Sequence, residues 1–210
     1  MPSGYLEVPE PVDPHLRRWM SFIDGENLTM SAQRVAEQEG VSFTEGSWYM
    51  RDTFVWFPDH AATLSLGSTN ELNLPLQRHA VRAHYYTSIR GDQERIEEVY
   101  GALWNLGFSP TVFKSDRTRD RSKGVDIALS TDMLSNAFRN NYDVAVLYAG
   151  DGDYVPLVEE IKRLGKGVYV SYFGKSGLNN NLRYASDTCL FLDGAFLEGW
   201  RRHLGVQEDS

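Results

Sequence analysis

The stretch DVAVLYAGDGDY, Asp143 to Tyr154, constrains the fold more than any other part of the chain. Val144 to Ala149 is an unbroken apolar run, too short for most helices and suited to a central parallel strand covered on both faces. Gly150 and Gly152 then allow a tight turn. That leaves Asp151 and Asp153 where open α/β sheets bind ligands, beyond the carboxyl ends of their strands. From Tyr154 onward, Val155, Leu157, Val158, Ile161 and Leu164 have the spacing of an amphipathic helix. Asp153 can therefore also be a plain N-cap, with Pro156 tolerated in the first turn. Capping covers Asp153 easily and Asp151 poorly.

Elsewhere the chain alternates strand and helix. Strands are expected at Trp19 to Ile23, Ala80 to Tyr86, Phe108 to Phe113, Gly167 to Phe173 and Thr188 to Leu192. Helices are expected at Asp92 to Leu106, capped by Asp92 and stopped by Gly107, at Val125 to Arg139, at Leu178 to Ala185, and a final one from Ala195. Repeated βα units imply a mostly parallel sheet with helices on both faces. The chain contains no internal repeat. At 210 residues it is expected to form one domain from residue 17 on, preceded by a flexible arm over 1–16 that carries proline and acids but no basic segment followed by an apolar run.

One region breaks the alternation, an insertion at about 28–78. Phe43, Trp48, Tyr49, Phe54, Val55, Trp56 and Phe57 suggest a short helix and a β-hairpin there. These aromatics can stack on bases, bury in an interface between two copies of the chain, or pack the hairpin onto the domain.

Composition narrows the chemistry. The net charge of −8 argues against coating nucleic acid through bulk electrostatics, but leaves room for a local cationic grip. Lys114, Arg117, Arg119, Arg121 and Lys123 supply one in the aperiodic loop KSDRTRDRSK, which otherwise reads as solvated surface. The single cysteine, Cys189, excludes an internal disulfide framework, fits a reducing cytoplasm, and lies in the strand-like TCLFL. His15, His60, His79, His84 and His203 have no metal-ligand spacing, and no window has the length of an apolar membrane span.

Acids at several strand ends can meet, because neighbouring parallel strands lie about 5 Å apart. Asp24 closes the first strand in IDGEN, Asp151 follows the strand at Val144, and Asp126 can join them if its helix begins near the same mouth. Asp132, six residues further along that helix, faces away from Asp126 and suits a supporting or surface role.

IDGEN, KGVDIALSTDM, VLYAGDGDYVPLVEEIKRLGKGVYV and SGLNNNLRYASDTCLFLD together, in that order, resemble a bacterial NYN domain of the PIN-like nuclease group. The similarity spans roughly Met20 to Asp193, apart from the aromatic insertion. It implies a PIN-like α/β/α sandwich and a magnesium- or manganese-dependent ribonuclease acting on RNA, most simply single-stranded. In that reading Asp24, Asp126, Asp151 and Asp153 hold one or two ions that activate water, while Asn27 and Ser176 position phosphate or water. Lys123, Arg119 and Arg121 hold flanking phosphates. Gly152 stands where the family more often has serine, and Tyr154 where it more often has phenylalanine. Asp187 falls in the position of a late family acid, though an acid at a helix end can equally tie down a loop.

Two other classes stay open. One is a binding or regulatory module that keeps the acidic pocket without turnover. The other is a phosphatase of a different α/β family, against which stands the sequence Asp24-Gly25-Glu26 in place of a DxD pair.

Overall fold

The computed structural model describes residues 18–40, 48–50, 54–56, 80–115 and 123–193. The N-terminal arm, most of the aromatic insertion, Arg117, Arg119, Arg121 and the helix expected from Ala195 lie outside the described residues. In chain order the elements are β1 (Trp19–Asp24), α1 (Gly25–Gln38), β2 (Trp48–Met50), β3 (Phe54–Trp56), β4 (Ala80–Ile89), α2 (Gln93–Asn105), β5 (Ser109–Lys114), α3 (Lys123–Phe138), β6 (Val144–Tyr148), a 3-10 turn at Gly152–Tyr154, α4 (Val155–Arg163), β7 (Gly167–Tyr172), α5 (Asn180–Ala185) and β8 (Thr188–Phe191).

Six strands form one sheet in the order β5-β4-β1-β6-β7-β8. Every pairing in it is parallel. The second sheet is the antiparallel pair β2–β3, the expected hairpin. The helix expected to be short is α1, a fourteen-residue element that follows β1 directly and belongs to the βα alternation.

Residues one apart in a strand point to opposite faces, and this divides the core in two. Ile23 joins Tyr85, Val146 and Tyr148 on the face covered by α1 and α2, through Leu28, Val35, Val99 and Leu103. Phe22 joins Tyr86, Ala145 and Leu147 on the other, covered by α3, α4 and α5 through Leu129, Met133, Val158, Ile161 and Leu182. β6 is buried at all five positions, as its unbroken apolar run requires.

The topology also locates the crevice. From β1 the chain moves to β4 and β5 on one side, then recrosses to β6, β7 and β8 on the other. Strand order thus reverses beside β1, and ligands of open α/β sheets bind above the carboxyl ends of strands at such a switch point. Among the described residues no helix is long and apolar enough to cross a membrane.

Candidate active site

Asp24 is both the last residue of β1 and the N-cap of α1. Its Oδ1 accepts the Asn27 amide hydrogen at 3.0 Å, as a capping carboxylate does. Its Oδ2 accepts from the Tyr154 hydroxyl, also at 3.0 Å. Asp24 is 5 % exposed, so ionisation costs its carboxyl group hydration. Burial first, then the nearby Asp126 and Glu26, pushes its pKa up to about 7 against the hydrogen bonds from Asn27 and Tyr154.

Asp126 arrives from the first turn of α3. Its Oδ1 lies 3.1 Å from the same Tyr154 hydroxyl. Partial burial and the carboxylates of Asp151, Glu26 and Asp153 raise its pKa, while Tyr154 opposes them. Two carboxyl oxygens from different elements therefore share one phenolic proton. Like charges about 6 Å apart at an effective dielectric of 20 repel by about 3 kcal/mol, so this group is short of positive charge.

Asp151 caps the 3-10 turn, accepting from the Asp153 amide at 3.2 Å. The extra turn moves the cap two residues upstream of the expected Asp153, which is exposed and free to face the crevice. Tyr154 in turn precedes α4 without side-chain capping. The glycines of this turn also differ from expectation. Neither Gly150 nor Gly152 has a positive φ. Their need for glycine is one of space: a methyl on Gly150 would overlap the Tyr172 ring, and one on Gly152 would stand 2.6 Å from the Asn179 amide nitrogen.

Asn27 stitches the two central strand ends together, since its side-chain oxygen accepts the Gly150 amide at 3.1 Å. Ser176 sits in the turn after β7, its hydroxyl bonded to the Phe173 carbonyl at 3.3 Å. Asp24, Asn27, Asp126, Asp151, Asp153 and Ser176 all line one cleft of about 370 Å³. Glu26, Arg34 and Asn179 line it as well. Sequence reasoning missed these three, together with the part played by Tyr154. Glu26 lay in plain sight in IDGEN, one residue beyond Gly25, and its carboxylate accepts from Ser88 at 3.0 Å.

Three expected residues stand elsewhere. Asp132 lies on α3 away from the cleft and accepts from the Tyr86 hydroxyl at 2.9 Å, tying that helix to β4. Asp187 sits at the amino end of β7, opposite the crevice, accepting the Val168 amide at 2.8 Å and pairing with Lys162 at 2.9 Å. It closes a loop, as acids at helix ends commonly do. Lys123 begins α3, and nothing further is assigned to it.

The donor set can be tested against a cation. The cleft offers carboxylates, amides and hydroxyls and no imidazole or thiol, which suits a hard ion and not zinc. Among the described residues no three acids, histidines or cysteines converge closely enough to ligate one ion together. Magnesium fits that spacing, because it keeps several waters and takes only one or two carboxylates directly. The shared proton on Tyr154 marks where positive charge is lacking.

The fold is similar to the crystal structure of a protein of unknown function from Vibrio parahaemolyticus RIMD 2210633, with a TM-score of 0.59 and 19 % sequence identity over 87 % of this chain and 96 % of that one. At that identity the likeness speaks for the fold alone. No curated protein matches the sequence. The family profile of the NYN domain, in contrast, matches residues 18–193, from the start of β1 to the end of β8 and beyond. With an all-parallel sheet, a switch-point crevice and strand-end acids already in place, the match completes the assignment: the chain belongs to the NYN domain family of PIN-like nucleases.

Proposed function

We propose that the protein is a metal-dependent ribonuclease that hydrolyses phosphodiester bonds of single-stranded RNA. The observation that carries this reading is the pair of carboxyl groups, Asp24 and Asp126, held on one phenolic hydroxyl at the carboxyl end of the central strands. Asp24 and Asp126 would hold a magnesium or manganese ion, with Asp151, Asp153 and Glu26 engaging through its retained waters. Such an ion would neutralise phosphate oxygens and acidify an attacking water.

The chain's own residues do the rest. Asn27 fixes the distance between the β1 and β6 ends, Asp24 is locked by two hydrogen bonds, and Ser176 and Asn179 offer polar groups to the phosphate from the opposite wall. Against a phosphatase that attacks through Asp24 stands the sequence Asp24-Gly25-Glu26, which lacks the DxD pair.

Purified protein with manganese should cleave single-stranded RNA. Asp24→Asn and Asp151→Asn should each lower the rate by about 100-fold or more, the scale at which mutagenesis of transition-state electrostatics is felt. Circular dichroism would verify that both variants fold. Wild-type rates in both variants would remove these acids from the mechanism.

A further inference from the structure

The acids occupy one end of the cleft, and the other end has its own chemistry. Asn27, Met30, Ser31 and Arg34 all line the cleft. Their spacing of i, i+3, i+4 and i+7 puts them on one side of α1, so the wall runs along that helix for about 10 Å at 1.5 Å per residue. The facing wall is the carboxyl end of β7 and the turn after it. The Tyr172 hydroxyl donates to the Asn27 carbonyl at 3.4 Å and contacts the Ser31 hydroxyl. Lys175 pairs with Glu39 just past the end of α1, joining the two walls.

Charge is polarised along this cleft. Tyr172 spans the two ends, its ring against Gly150 and its hydroxyl on Ser31; burial raises its pKa, the Ser31 and Ser176 hydroxyls oppose this, and the charges of Asp24 and Arg34 act on it with opposite sign. Arg34 is the one cationic residue lining the cleft among the described residues. Lys175, in the turn after β7, is committed to Glu39, whereas Arg34 has no ion-pair partner among the described residues. An exposed arginine with its donors free, two helical turns from a carboxylate cluster, matches the fork geometry of a phosphate.

We propose that Arg34 is a backbone-phosphate subsite: it holds a phosphate of the bound strand a nucleotide or two from the scissile one and thereby sets the direction in which the strand crosses the acids. This rests on the ribonuclease reading and adds to it a register. The contact positions the strand and reads no base. Arg34 is thus a positioning residue that acts on binding more than on the reacting atoms.

The test is equilibrium binding of a fluorescent single-stranded oligoribonucleotide in chelator across a potassium chloride series, alongside steady-state cleavage in manganese. Arg34→Gln should weaken binding by about 3- to 10-fold and lower the slope of log affinity against log salt by about 0.7, the share of one phosphate contact on a single strand. It should raise KM while leaving kcat within about twofold, and Arg34→Lys should recover part of the loss without the fork geometry. A wild type that binds and cleaves, beside an Arg34→Gln variant with unchanged affinity, slope and KM, overturns the subsite and leaves the nuclease standing. A wild type that neither binds nor cleaves RNA overturns both.

Discussion

Tyr154 shows how one atom can organise a site. Its hydroxyl has a single proton and touches carboxyl oxygens of Asp24 and Asp126 at 3.0 and 3.1 Å. Burial, with both acids adding to it, raises its own pKa far above the ordinary phenol range, so it stays a donor. Without that donor the buried Oδ2 of Asp24 has no partner. Removing one partner of a buried acceptor costs about 1–3 kcal/mol. Tyr154→Phe should therefore lower stability in chelator by about that amount, and saturating manganese should shrink the difference, because a cation supplies the positive charge the hydroxyl had offered. Chemical denaturation of both proteins with and without manganese measures this; an undiminished difference would make the hydroxyl a packing group only. In the sequence Tyr154 looked like the first residue of a helix and a mild departure from phenylalanine. Nothing local announces a phenol that reaches across to β1 and α3, since those contacts join residues 130 and 28 positions apart.

At the scale of elements, what was legible is what local pattern dictates. The all-apolar β6, the amphipathic α4, and the Asp92 cap and Gly107 stop of α2 follow from burial, period and backbone conformation, and Gly107 does adopt a positive φ of 90°. One cleft is lined by Asp24, Asp151 and Asp153, which strand ends of one parallel sheet can bring together, by Asp126, whose helix begins near the same mouth, and by Asn27 and Ser176, to which the NYN resemblance points. The face of α1 that carries Arg34 was not legible, since a helix period identifies the buried side but not which exposed residue borders a cleft. Asp187 illustrates the opposite difficulty: position along the chain cannot tell one end of a sheet from the other. It joins the amino end of β7 to the α5–β8 junction through the Val168 amide and Lys162, which also donates to the Ala185 carbonyl at 2.7 Å. Asp187→Ala should cost about 1–3 kcal/mol, chiefly from the orphaned amide, because a half-exposed ion pair adds little. RNA cleavage at a temperature where both proteins are folded should be unchanged; a selective loss of kcat with intact stability would return Asp187 to the chemistry.

For the molecule as a whole, the buried acid couples folding to pH and to cations in opposite directions. The folded state holds a proton on Asp24 up to about pH 7, whereas the unfolded chain releases it near the ordinary value of 3.8. Between those values the native state binds more protons than the unfolded state, so stability falls as pH rises through that window and levels off above it. A shift of this size corresponds to a few kcal/mol at most, at about 1.4 kcal/mol per pKa unit. In chelator the melting temperature should thus decline from about pH 5 to about pH 8, and Asp24→Asn, which can still cap α1, should flatten that decline. Manganese reverses the linkage, because it binds the ionised carboxylates and must displace the proton. The rise in melting temperature that manganese produces, set by RT ln(1 + [L]/Kd), should therefore grow as pH climbs through about 7 in the wild type and nearly vanish in Asp24→Asn. Calorimetry of the two proteins at both pH values with chelator or manganese separates these effects. If the manganese gain is the same at both pH values, or survives in Asp24→Asn, the cation is not held by the carboxyl group that caps α1.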